Sequence, residues 1–119
     1  MVQHILIAED SQVDRTRLET LLQKAGYRVT AAENGQAALD AVKRERPDAV
    51  LMDVNMPVMD GFAATRTLHN DPATKDIPVV LVTAKDQKAD KAWGQMLGAK
   101  GYVTKPYADE DVLSVVRSL

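Results

Sequence analysis

At 119 residues the chain has the length of one domain, enough to bury a single core. Its apolar fraction of 45%, charged fraction of 27% and net charge of −2 are those of an ordinary globular protein, with no basic footprint for nucleic acid or an anionic membrane. The lack of cysteine removes disulfides, thiolate zinc sites and cysteine nucleophiles; no apolar run approaches the roughly 18–20 residues of a membrane span and no signal peptide heads the chain, so the cytoplasm is the expected compartment.

In chain order, "HILIA" (4–8) reads as the first strand. "SQVDRTRLETLLQKAG" (11–26) follows as a helix with Val13, Leu18, Leu21, Leu22 and Ala25 on one stripe. Ser11 and Asp14 are spaced as a capping box, and Gly26 suits the left-handed position past the helix end. "YRVTAA" (27–32) is the second strand. The helix in "NGQAALDAVKRERP" (34–47) starts at an Asn34 cap and stops before Pro47. Its "KRER" run (43–46) reads as a solvated helix end, where cations suit the dipole.

"AVLM" (49–52) is the third strand, and a helix starting near Asp60 runs through "FAATRTLHN" to the "NDP" turn. "VVLVT" (79–83) is the fourth strand. "DQKADKAWGQMLGAKG" (86–101) carries Ala89, Trp93, Met96 and Leu97 at helical spacing, with Gly98 as stop. "GYV" (101–103) is the fifth strand, and "ADEDVLSVVRSL" (108–119) is a last helix with three acids in its first turn. The first, third and fourth strands are almost continuously apolar, as strands covered on both faces must be. Five strands alternating with five helices predict an α/β fold: a five-stranded parallel sheet, doubly wound, with right-handed crossovers.

Ligands in such a sheet bind beyond the carboxyl ends of the strands. Glu9 and Asp10 follow the first strand, Asp53 the third; Thr83 ends the fourth, and Lys105-Pro106 follow the fifth. Glu33-Asn34-Gly35, after the second, reads as a helix cap. Three carboxylates, a hydroxyl and an ammonium therefore meet on one edge, and three packed anions repel unless a cation joins them. Mg²⁺ balances the charge: minus three from the acids, plus two from the metal, plus one from Lys105. A zinc site would want His or Cys, which are absent from these strand ends. The fitting substrate is a phosphoryl group, its oxygens neutralised by Mg²⁺ and Lys105, with Thr83 donating a hydrogen bond and Asp53 attacking in line.

The ordered set Glu9-Asp10, Asp53, Thr83-Ala84 and Lys105-Pro106, with "MDVNMPVMDG" around Asp53, resembles the receiver domain of two-component response regulators over essentially the whole chain. The resemblance implies a single receiver domain over 1–119 with the flavodoxin-like strand order 2-1-3-4-5. It implies that Asp53 is the phospho-acceptor, and that Glu9, Asp10, Asp53 and the backbone carbonyl of Asn55 hold Mg²⁺. Thr83, Ala84 and Lys105 would line the phosphoryl group, and the bond before Pro106 would be cis. Thr83 and Tyr102 would be the switch pair, Tyr102 turning inward as Thr83 moves. The small Ala84 would leave the phosphorus open to a partner. Glu9-Asp10 departs from the Asp pair more usual in the family; the longer Glu9 still reaches a metal, directly or through water. Lys85, two residues past Thr83, borders the route of hydrolytic water. Within the family, "TAKDQKADKAWGQMLGAKGYVTKPY" (83–107) is similar to stand-alone regulators of type IV pilus twitching motility.

Taken singly, these residues have plainer explanations. Asp10 could cap the first helix, Glu9 could be a loop charge, Thr83 a β-branched strand end and Lys105 a surface lysine. Asp53 is harder to explain away, because an acid ending a buried strand is costly to desolvate. The joint arrangement favours the site. Elsewhere packing is the better account: His4 and His69 lack partners that would recommend them as ligands, Met52, Met56, Met59 and Met96 read as packing and turn residues, and Trp93 as half-buried cover. As a minority alternative, Trp93 faces a partner beside Tyr102.

An aspartyl-phosphate phosphatase would need a second Asp two residues past its nucleophile as general acid, and Asn55 stands there. A flavodoxin-like electron carrier would want a phosphate loop where Glu9 and Asp10 repel phosphate. The expectation is therefore a phosphorylation-switched signalling module, not an enzyme beyond its own phosphorylation and dephosphorylation. A histidine kinase would be the donor, and the output a protein target on the surface of helix four, strand five and helix five. No nucleic-acid or membrane partner is expected, and the oligomeric state stays open. The alternatives are a receiver-fold binding module that takes no phosphate, or the receiver of a longer regulator. Adaptor and phosphate sink remain equal as outputs.

Overall fold

All five apolar runs form strands, and the segment after each of them forms a helix, in the computed structural model, which describes residues 2–119. In order these are β1 (His4–Ala8), α1 (Gln12–Lys24), β2 (Arg28–Ala32), α2 (Gly35–Arg44), β3 (Ala49–Met52), α3 (Gly61–Asn70), β4 (Val79–Thr83), α4 (Lys88–Met96), β5 (Gly101–Thr104) and α5 (Asp109–Arg117). The strands make one parallel sheet in the order β2-β1-β3-β4-β5, as expected. The winding direction reverses between β1 and β3, which makes their carboxyl ends the switch point of the sheet. Ala8 pairs with Met52 in that register, so Glu9 and Asp53 leave the sheet side by side.

Strands β1, β3 and β4 are buried along their whole length, whereas β2 and β5 are partly exposed edges. Alternate side chains feed two cores. Ile5, Ile7, Leu51, Val80 and Val82 meet Leu18 and Leu22 of α1 and Val112 and Val116 of α5. Leu6, Val50, Met52 and Leu81 meet Leu39 and Val42 of α2 and Ala64 and Leu68 of α3. Burying a Leu or Ile side chain contributes on the order of 2 kcal/mol. A one-residue slip of β3 would therefore exchange the two faces and lose both cores. No helix among the described residues is long and apolar enough to cross a membrane.

The helix ends follow local chemistry. Asn34 and Asp60 accept hydrogen bonds from Ala37 N and Ala63 N at 2.8 Å. Gly26, at φ +97°, ends α1 with Tyr27 N donating to Leu22 O, the bond that the left-handed glycine permits. The Ser11–Asp14 box is only half formed. Ser11 Oγ accepts from Asp14 N at 3.3 Å, but the Asp14 carboxylate goes to Lys105 instead of back to Ser11.

Two helix faces differ from the sequence expectation. Val13 is 78% exposed and Ala25 is exposed, so α1 buries a stripe centred on Leu18 and Leu22. At α4 the inward residues are Gly94 and, just past its end, Leu97, while Ala89 and Met96 turn outward and Trp93, 46% exposed, is the half-buried cover expected. The cause is close approach: a Cβ on Gly94 would stand 2.8 Å from Leu81 Cδ1 and 3.5 Å from the Tyr102 ring. The sheet meets α4 along its glycine, and Met96 is left to solvent. His4 is buried, with Nε2 3.1 Å from Thr30 Oγ1, a structural partner rather than a ligand.

Candidate functional site

Glu9 leaves β1 buried, and the backbone after it is pinned by Arg15, whose Nη1 donates to the Glu9 carbonyl at 2.9 Å and the Asp10 carbonyl at 3.4 Å. Asp10 is exposed. Asp53 leaves β3 only 8% exposed, with its own N–H bonded to Ala8 O at 3.0 Å. Of its carboxylate oxygens, Oδ1 accepts from Val54 N at 2.6 Å and Oδ2 from Lys105 Nζ at 3.1 Å. The chain then loops into α3. Gly61 N donates to Val54 O at 2.9 Å, and a Cβ on Gly61 would lie 2.0 Å from the Asp53 carbonyl oxygen, so only glycine allows the loop to close on Asp53. Val58 in this loop holds φ +68°, a left-handed conformation that a β-branched residue rarely adopts.

Carboxylate oxygens of Glu9, Asp10 and Asp53 lie within 4.8 Å of one another. Lys105 reaches into the group after a cis bond to Pro106, as expected. Its ammonium donates to Glu9 Oε1, to Asp53 Oδ2 and to Asp14 Oδ2, the last two at 3.1 Å. Burial pushes the Glu9 carboxyl up to about 7, and the Asp53 charge adds to that; hydrogen bonds from Lys105 and Ser11 act against it. Burial likewise opposes the Lys105 charge, but its three carboxylate partners outweigh it and hold the ammonium above its ordinary pKa. The donor set is all oxygen, and burial disfavours the charge of its Glu9 carboxylate unless cations offset it. That chemistry fits a hard divalent ion such as Mg²⁺.

Of the remaining expected residues, Thr83 meets this centre through its backbone, its carbonyl accepting from Lys105 N at 2.8 Å. Thr83 is fully buried, and its Oγ1 accepts from Lys85 N at 3.3 Å. Ala84 and Asn55 are exposed. The hydroxyl of Tyr102 donates to Lys85 O at 2.6 Å, so Tyr102 and Thr83 both hold the backbone of Lys85. Burial raises the Tyr102 hydroxyl above its usual pKa, and the charges of Asp90, Asp86 and Asp53 add to this. Asp14 is the site residue that sequence reasoning missed. Its acid lies one helical turn past Asp10, a spacing that would have pointed to the same edge, but the capping pattern with Ser11 accounted for it locally.

A doubly wound sheet whose switch point gathers these acids around one lysine is the architecture of a signal receiver, and the chain belongs to the response regulator receiver domain family, whose profile matches residues 5–117. The chain is 44% identical over 115 residues to protein PilH of Pseudomonas aeruginosa, covering 97% of this chain and 95% of that one. Among solved structures it is similar to the chemotaxis response regulator CheY4 of Vibrio cholerae, with TM-score 0.91 and 31% identity over 99% of this chain and 98% of that one. It is also similar to the receiver domain of sensor histidine kinase PA1611 from Pseudomonas aeruginosa, with TM-score 0.90 and 32% identity over 99% of this chain and 97% of that one. That receiver holds a magnesium ion in its active-site cleft.

Proposed function

We propose that the chain is a phosphorylation-switched signalling module in which Asp53 accepts a phosphoryl group from a phosphohistidine of a kinase. The observation that carries this is the state of Asp53. It is a nearly buried carboxylate, oriented by Val54 N at 2.6 Å and Lys105 Nζ at 3.1 Å, with further acids within 4.8 Å. A carboxylate so placed needs a reason, because desolvating it is costly.

In the transfer, an Asp53 oxygen attacks phosphorus as the bond from phosphorus to the donor imidazole nitrogen breaks. The electron pair leaves with the imidazole, which takes up a proton from water. Mg²⁺ would be held by Glu9, Asp10, Asp53 and the Asn55 carbonyl; once bound it would offset the charge of the phosphoryl oxygens. Lys105 supplies a second positive charge at the same oxygens. Thr83 donates its hydroxyl hydrogen to one of them after leaving the Lys85 N–H, and Ala84 adds no bulk in front of the phosphorus. Apart from this self-modification the chain acts on no separate substrate.

The product is an acyl phosphate of charge about −2 where Asp53 carried −1. Moving Thr83 toward it loosens one of the two holds on Lys85, and Tyr102 keeps the other. The change therefore reaches β5 and α4, and the surface of α4, β5 and α5 alters its fit to a protein target. The similarity to PilH and to a chemotaxis regulator supports a pilus-associated, chemotaxis-like pathway.

The test is incubation of the wild-type chain and Asp53→Asn with acetyl phosphate, with and without Mg²⁺, followed by intact-mass measurement. One phosphoryl adduct that needs Mg²⁺ and disappears in the variant is the expected result. An unmodified wild-type chain under every condition would leave a binding module that takes no phosphate.

A further inference from the structure

The Lys105 ammonium has three protons, and in the resting site three carboxylates take them. A phosphoryl group on Asp53 adds oxygens and about one negative charge at the same place. The bond to Asp53 can pass to one of these oxygens, and for Lys105 to donate to a second one Glu9 or Asp14 has to leave. The three differ sharply in exposure: the side chains of Glu9 and Asp53 are 5% and 10% exposed, that of Asp14 47%. Water solvates Asp14 at once when it releases the ammonium, whereas the buried Glu9 and Asp53 have no such access and stay with the cations of the site. Asp14 also stands at the start of α1, away from the strand-end backbone that holds the other two.

We propose that Asp14 is a positioning residue for Lys105: it holds the ammonium in the resting site and is the partner that gives way when a phosphoryl group occupies Asp53. This rests on the reading of Asp53 as phospho-acceptor. Asp14 thus biases the molecule toward its unphosphorylated state, both by competing for Lys105 and by setting a like charge against the phosphoryl oxygens. The other contact of Asp14, its N–H to Ser11 Oγ, is a backbone bond that substitution leaves in place.

The test is titration of beryllium fluoride, an acyl-phosphate analogue, into the Mg²⁺-loaded wild type, Asp14→Asn, Asp14→Ala and Asp14→Glu. Asn and Ala are expected to bind about two- to fivefold tighter, in line with the loss of one half-exposed charge pair, and Glu to return close to the wild-type affinity. A second readout is the ¹⁵N resonance of the Lys105 ammonium. Wild type and Asp14→Asn should differ before beryllium fluoride and coincide after it. Equal or weaker binding by Asn and Ala, or a resonance difference that persists in the loaded state, would overturn the proposal. A wild-type chain that binds no beryllium fluoride would sink the reading of Asp53 itself, and the wild-type titration alone reveals that case.

Discussion

Glu9 carries the conflict between burial and charge that defines this site. Its pKa is pushed from the ordinary 4.5 up to about 7, chiefly by burial. A raised acid stabilises the fold fully below its unfolded pKa, and that contribution is lost as pH rises through the folded value. Metal-free protein should therefore lose up to about 3 kcal/mol between pH 5 and pH 8. Glu9→Gln should flatten that loss and be the more stable protein at pH 8, while binding Mg²⁺ weakly; urea midpoints at the two pH values check this. Equal slopes in both proteins would place the pH dependence elsewhere. Val58 is the other strained residue. Its side chain is 82% exposed and its φ is +68°, so Val58→Gly should remove the steric conflict without losing a buried contact. A gain of about 1 kcal/mol is expected from urea denaturation, reduced by the greater freedom of glycine in the unfolded chain.

At the scale of elements, the loop from β3 to α3 matters most, because it carries Asp53 at one end and the first turn of α3 at the other. Gly61 lets the two meet. Gly61→Ala would place a carbon 2.0 Å from the Asp53 carbonyl oxygen, a backbone atom that no rotamer change can relieve. We expect a loss of about 1–3 kcal/mol and slower phosphoryl uptake from acetyl phosphate, because the displaced backbone carries the acceptor with it. Wild-type stability together with wild-type uptake would show that the loop yields freely. Helix α4 is set by the same kind of contact. Gly94 rests against Leu81 and Tyr102, so the helix rotates Trp93 and Met96 outward, onto the surface that includes Tyr102 and β5.

For the whole molecule, the acid cluster trades stability for binding. A ligand that binds only the folded chain stabilises it by mass action, about 2.7 kcal/mol at a hundred times its Kd. Mg²⁺ should raise the urea midpoint accordingly in the wild type and by much less in Asp53→Asn, whose amide offers a poorer ligand. An equal rise in both would show that the ion binds away from Asp53. The increment should shrink below about pH 7, where a proton competes for Glu9.

The chain order of residues was enough to set the alternation of strand and helix, the parallel sheet, the cap at Asn34, the helix start near Asp60, and the edge on which Glu9, Asp10, Asp53, Thr83 and Lys105 meet; the strand order came with the family resemblance. These are local periodicities and strand ends, and a doubly wound sheet sends every strand end to the same side. Tertiary structure alone decided the rest. It took the Asp14 carboxylate from its expected cap to Lys105, turned Val13 outward, and set α4 against the sheet at Gly94 so that Met96 faces solvent. It also joined Tyr102 and Thr83 through Lys85. The reason is the same in each case. Helical spacing names a stripe, but which side of it is buried depends on how near the neighbouring element comes, and a polar group goes to the strongest partner in space rather than the nearest one in sequence.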